Sequence, residues 1–146
     1  MKIKNLDELQ YIKRGRIFKH CLFTIIGLLL VYIALLQVDI VLTDHQTALL
    51  LIIIFVVSLF CIEMIFYDIY PLSESRQKYL YFVMGLLGLV IIILAAYELI
   101  TGETDFIENG ILSNVGAGII TGSLFLLILL AYLVKKFFNR MNGGES

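Results

Sequence analysis

Four long apolar segments constrain this chain more than any other feature. They span residues 21–38, 48–67, 79–100 and 111–134, and only Glu63 and Glu98 place a charge inside them. A helix needs roughly 20 apolar residues to cross a bilayer core about 30 Å thick, and each segment meets that length. The sequence therefore predicts an all-α membrane protein with four transmembrane helices.

The rest of the chain is too small and too scattered to form a second domain. It comprises a basic N-terminal segment (residues 1–20), three short connections and a basic C-terminal tail (residues 135–146). The whole chain is 60% hydrophobic and 16% charged, whereas soluble domains carry about 45–50% apolar and about 25% charged residues. We expect one transmembrane domain, residues 21–134, with short polar flanks.

The basic residues predict how the helices are oriented. Residues 39–47 and 101–110, the first and third connections, contain no Lys or Arg, so all 11 fall on one side of the membrane. Basic residues collect on the cytoplasmic side, which predicts a multi-pass membrane protein with both termini in the cytoplasm. The inner side carries a net charge near +5, and the outer side carries six acidic residues.

The N-terminal segment has two interpretations. Its basic side chains could hold a short helix on the anionic inner leaflet of the bilayer. They could instead form a platform for a cytosolic anionic ligand, either a nucleotide or a nucleic acid. The candidate contacts are the same in both cases: Lys13, Arg14, Arg16 and Lys19.

Helix four carries small and polar residues in its first half. At 100° per residue these fall on one face: Asn114, Gly118, Thr121, Gly122 and Phe125. Small residues let helices approach closely in lipid, so one interpretation is packing within the bundle or between protomers. The other is a polar strip that lines a water-filled path and ends in a constriction at Phe125. Helix three has a second small-residue face, which we interpret as packing: Gly85, Gly88, Ala95 and Ala96.

Acidic residues mark two further candidate sites. Glu63 lies inside the second segment, where an ionised carboxylate is costly, so it is a candidate for either structure or function. A second group would form an outer acidic vestibule beside helix four: Glu98, Glu103, Asp105 and Glu108. His20 and His45 fall at opposite faces of the membrane, where we expect each to be a solvated interfacial residue.

The sequence does not predict an enzyme. Ser123 has no histidine within the membrane to activate it, no cluster has the spacing of metal ligands, and no glycine-rich phosphate loop adjoins a strand. We expect no cofactor and no metal, and the lipid bilayer and further copies of the chain are the predicted partners.

Three functions are considered for a chain with four membrane helices. A homo-oligomeric channel would use the polar helix face and the acidic vestibule, which would make it cation-selective. An immunity or regulatory protein of the bacteriocin type needs only a four-helix frame without transport. A small multidrug transporter would need a carboxylate at the centre of the first helix, and residues 21–38 contain none.

Residues 113–123, the apolar run after them and Lys135-Lys136 carry a resemblance to a known group. This part of the chain resembles the membrane helices of small bacterial antiphage-defence effectors, such as the Hailong-type four-helix effector. The resemblance implies an oligomeric channel of the bacterial inner membrane that is controlled by a cytosolic nucleotide or oligonucleotide. It covers about 25 of the 146 residues, and no functional residue is carried over from it.

Overall fold

Four long helices make up nearly all of the regular structure. The computed structural model describes residues 8–69, 74–102, 104–108 and 110–142. The helices are α1 (Glu8–Gln37), α2 (His45–Phe66), α3 (Glu74–Thr101) and α4 (Asn114–Asn142), and a two-stranded antiparallel ribbon, β1 (Ile107–Glu108) and β2 (Ile111–Leu112), precedes α4. All four helices are long and apolar enough to cross a membrane. The predicted all-helical chain with four membrane-length helices is confirmed.

The helices extend beyond the apolar segments that predict them. α1 is continuous from Glu8, so residues 8–20 are not the separate surface helix that the N-terminal pattern suggested. α3 and α4 likewise run on into polar sequence, at Glu74 and Asn142 respectively. An apolar segment marks the part of a helix that suits lipid, whereas Lys, Arg and Glu are good helix formers that let it continue outside.

Helix α4 begins three residues later than the apolar pattern predicts. Residues 111–112 are taken up by β2, and the turn before them places Gly110 at φ +79°, a conformation that glycine adopts at no steric cost. Ser113 then caps the helix, because its Oγ accepts a hydrogen bond of 3.1 Å from the Gly116 N–H.

The helices pack in the order α1, α2, α4, α3. The α3–α4 interface is the most extensive, followed by α2–α4 and then α1–α2. A buried apolar cluster around Ile65, Tyr81 and Ile128 joins α2, α3 and α4, and another around Ile17 and Met64 joins α1 to α2. In the 18-residue apolar stretch of each helix, only 6% of α1 is buried within the chain. The corresponding share is 28% for α2 and 22% for both α3 and α4. α1 is therefore the least enclosed helix.

Helix α2 is tied to α4 or its preceding ribbon at both ends. At the start of α2, the Leu112 N–H donates to the Leu42 carbonyl (2.8 Å) and Thr43 Oγ1 donates to the Leu112 carbonyl (3.0 Å). At the other end, Lys135 Nζ donates to the Ile65 and Phe66 carbonyls. The last carbonyls of a helix have no partner within it, and a cation there also complements the helix dipole. These contacts fix α2 beside α4.

Asp44 begins α2 as its N-cap. Its carboxylate accepts hydrogen bonds from the backbone N–H groups of Gln46 (3.0 Å) and Thr47 (3.1 Å). Hydrogen bonding by Thr47, from its side chain and its backbone, lowers the pKa of Asp44 below its ordinary value of 3.8. This carboxylate therefore has a structural task at the exposed start of the helix.

We expect the cap to make the start of α2 sensitive to acid. A lowered pKa in the folded state stabilises the fold above pH 3.8, and this contribution is lost as the pH falls through the folded-state value. Asp44→Ala should lower the thermal unfolding temperature at pH 7, whereas Asp44→Asn should retain the cap and remove its acid sensitivity. Circular dichroism in detergent at pH 7 and pH 3 measures both. Equal unfolding temperatures for Asp44→Ala and the original chain at pH 7 would contradict this role.

Candidate functional site: the polar groups of the helix layer

The small-residue face of α4 lies against α3 of the same chain. A Cβ atom added to Gly122 would lie 2.7 Å from the Gly88 carbonyl oxygen, and one added to Gly88 would lie 2.7 Å from the Gly122 carbonyl oxygen. Real Cβ atoms do not approach so closely, so the two glycines allow the backbones to touch. Gly118 has more room, since its added Cβ would lie 3.8 Å from Ala95 Cβ.

The other residues predicted for this face are placed less uniformly. Phe125 packs on the buried cluster around Ile65, Tyr81 and Ile128. Thr121 is half-buried, and Asn114 is exposed, with its Oδ1 3.5 Å from Thr47 Oγ1 on α2. The structure therefore puts Gly118, Gly122 and Phe125 into helix packing within one chain and leaves Asn114 at the surface.

Glu63 is paired with a residue that sequence analysis placed in solvent. His20 Nδ1 on α1 donates a hydrogen bond to Glu63 Oε1 on α2. The Glu63 side chain is 20% exposed and the His20 side chain is 60% exposed, so the pair lies at the surface formed by α1 and α2. A groove of about 390 Å³ adjoins it, lined by Arg16, Ile17, Lys19, His20, Glu63 and Tyr67.

A count of residues along α1 and α2 could have found the pair. His20 lies about 17 residues before the end of α1, and Glu63 lies about 18 residues after the start of α2. Two antiparallel helices joined by a short connection bring such positions to the same depth, about 26 Å from the connection.

Three of the four basic candidates of the N-terminal segment line grooves, and these grooves are separate. Arg16 and Lys19 line the groove beside Glu63. The Arg14 guanidinium instead lies 5.8 Å from the ring centre of Phe18, at a groove that Tyr11 and Gly15 also line. Lys13 is half-buried and lines neither groove. Only Arg16 and Lys19 are therefore brought to the His20–Glu63 pair.

The opposite end of the helices carries the acidic candidates. Asp105 and Glu108 are exposed on the connection before α4, Glu98 is partly exposed on α3, and Glu103 lies outside the described residues. His45 also lies at this end, hydrogen-bonded to the Tyr32 hydroxyl at 2.7 Å. These side chains form an acidic end, distinct from the basic end where α1 and α3 begin and α2 and α4 end.

Among the described residues, no group of three His, Cys, Asp or Glu could hold a metal ion.

Comparison with protein-family models, with curated proteins and with solved structures finds no match to this chain. The fold and the apolar surface together define a class, a multi-pass membrane protein with four candidate spanning helices.

Proposed function

We propose that this chain assembles into a homo-oligomeric, cation-selective pore in the bacterial inner membrane, with both termini in the cytoplasm. One observation carries the proposal: His20, on a membrane-length helix, is 60% exposed while paired to Glu63. Glu63 lies inside the second apolar segment, and His20 directly precedes the first. A polar pair at the boundary of the apolar region is costly to expose to lipid and usually faces a protein interior or a water-filled cavity. A path between protomers would provide that polar surrounding.

Helix α1 is the proposed contact between protomers and the lining of the path. Gly27, in the middle of its membrane-spanning part, has nothing within 4 Å of an added Cβ, and Phe23 and Leu30 on either side are exposed. A glycine on an open helix face permits close approach of another helix. In a closed ring of protomers, α1 helices would then surround the symmetry axis, with the His20–Glu63 pair at the inner mouth.

The acidic end supports cation selectivity. The connections at this end contain no Lys or Arg, and Glu98, Asp105 and Glu108 have accessible side chains. Symmetry would repeat them around an outer mouth, where rings of carboxylates raise the local cation concentration. The basic end would act in the opposite direction, but anionic lipid can neutralise part of its charge.

The proposed biological role is that of an antiphage-defence effector opened by a cytosolic anionic ligand, a nucleotide or oligonucleotide. The groove with Arg16 and Lys19 supports this part of the proposal, since both cations lie beside the polar pair at the proposed inner mouth. An anion bound there would change the electrostatic potential at the mouth.

Single-channel recording of the purified full chain in planar bilayers tests the pore. We expect discrete currents with a reversal potential in asymmetric KCl that moves toward the potassium equilibrium potential. His20→Gln should change the unitary conductance, whereas the matched control His45→Gln, at the acidic end, should not. Neutralising Glu103, Asp105 and Glu108 together should weaken cation preference, most strongly at low ionic strength. A shift toward the chloride equilibrium potential would contradict cation selectivity.

A second candidate is a non-conducting immunity or regulatory protein. The covering of the α4 small-residue face by α3 favours it, since the Gly88–Gly122 contact fills the space where a polar path along α4 would run. This candidate predicts a monomer in detergent and an absence of current in bilayers, and that result would replace the pore.

A further inference from the structure

A basic cavity at the basic end, separate from the groove beside Glu63, is not used by the proposed pore. Its volume is about 460 Å³, and it lies where the end of α2, the start of α3 and the last turns of α4 meet. Polar side chains around it are Asp68, Lys78, Lys135, Lys136 and Asn139, and Tyr132 contributes an aromatic wall. The cavity therefore lies at the boundary between the apolar part of the helices and their polar ends.

Lys135 organises this cavity without being available to a ligand. Its ammonium donates to the Ile65 and Phe66 carbonyls and lies 2.7 Å from Asp68 Oδ1. An ammonium has three N–H donors, so these three contacts use all of them. The side chain is only 13% exposed. Lys135 is thus a fixed positive charge that also neutralises the carboxylate of the cavity.

The charged side chains that line the cavity are mainly basic. They are three lysines and one carboxylate, with a formal net charge of +2. Lys136 and Asn139 are exposed, so an ammonium and a side-chain amide can donate hydrogen bonds to a bound group. Lys135 and Asn139 are four residues apart and share a face of α4, which places the amide beside the fixed charge.

We propose that this cavity binds a phosphate group. Phosphate offers several acceptor oxygens to the ammonium and amide donors, and lysine binds it as a point charge. Basic pockets between transmembrane helices near the cytoplasmic surface suit phospholipid head groups. The same chemistry would accept the phosphate of a soluble ester, so the two sources are an anionic phospholipid and a soluble phosphate compound. The site is independent of whether the chain conducts.

Lipid binding by the full chain tests the site. Native mass spectrometry of the protein in neutral detergent would measure its affinity for phosphatidylglycerol and for phosphatidylcholine, and calorimetry would measure binding of inorganic phosphate and ATP. We expect the double variant Lys136→Gln, Asn139→Ala to bind about tenfold more weakly, because a charge-assisted hydrogen bond and its neighbour are lost. Both side chains are exposed, and equal thermal unfolding of the variant would show that its fold is intact.

The matched control removes one cation from the same end of α4 but outside the cavity. Arg140 is exposed in the last turn of α4 and does not line the cavity. Arg140→Gln should leave the affinity within about twofold, because an exposed charge that does not touch the bound group contributes little. If the protein prefers phosphatidylglycerol and neither ATP nor phosphate displaces it, the ligand is a lipid head group. If ATP or phosphate displaces that lipid, the ligand is a soluble phosphate compound. Equal binding of both lipids without phosphate binding, or an equal loss in the control, would overturn the proposal.

Discussion

Replacing Gly122 by leucine should separate α3 from α4 and destabilise the whole chain. An added Cβ would lie 2.7 Å from the Gly88 carbonyl oxygen and 2.7 Å from Ile92 Cγ1, so the larger side chain would have to displace backbone. Overpacking typically costs about 1–3 kcal/mol through strained side chains and shifted backbone, and we expect about 3 kcal/mol here because backbone atoms of both helices are involved. Unfolding in detergent with increasing dodecyl sulfate, followed by circular dichroism, measures the loss.

Gly118→Ala is the matched control for this prediction. The new methyl group would lie 3.8 Å from Ala95 Cβ and 3.9 Å from Ile91 Cγ2, which is ordinary van der Waals contact. Alanine is also favoured over glycine inside a helix by roughly 0.5–1 kcal/mol, so the variant should be unchanged or slightly more stable. Similar destabilisation in both variants would mean that the Gly88–Gly122 contact does not hold the two helices together.

Gly27→Leu should have the opposite pattern, in which folding is preserved and assembly is lost. Nothing lies within 4 Å of an added Cβ at Gly27, so the side chain fits the isolated chain without displacing any group. In the proposed oligomer it would hold neighbouring α1 helices apart. Light scattering of the detergent-solubilised protein should then report a monomer, with unchanged unfolding, and the bilayer current should fall to background.

Gly15→Leu controls for the substitution itself. Gly15 lies on the same helix and is equally open, but it precedes the apolar segment, so leucine there should leave the oligomer intact. An unchanged oligomer with leucine at position 27 would remove α1 as the contact between protomers. A monomeric original chain would remove the oligomer altogether and favour the non-conducting candidate.

The apolar segments were sufficient to predict the number and kind of helices. A run of about 20 apolar residues has few alternatives to a spanning helix, because lipid leaves backbone groups no partner outside the helix. The ends of the helices could not be predicted in the same way, since they depend on capping and pairing. α4 begins at Asn114 because β2 takes residues 111–112 and Ser113 supplies the cap.

Which surfaces meet was harder to predict than which residues form helices. Gly122 and Gly88 each stood out as small residues, but their partnership depends on α3 and α4 being neighbours, which no local pattern in the sequence specifies. The sequence identifies Lys135 only as one of the basic residues that orient the chain, because its role at the end of α2 depends on the same helix order. The His20–Glu63 pair was predictable from depth alone, because α1 and α2 are joined by a short connection.

The ties between α2 and the α4 region have a consequence for how the protein is made. In sequence, Thr43 and Leu112 are 69 residues apart, and Ile65 and Lys135 are 70 apart. The ribosome therefore completes the first helical hairpin well before the residues that secure α2 have been synthesised. Until then, the carbonyls at the end of α2 and the glycine face of α3 have no native partners. Helix α4, which is translated after α2 and α3, thus holds both of them in place. A nascent chain interrupted before α4 would expose unpaired helix surfaces to the bilayer and to membrane proteases.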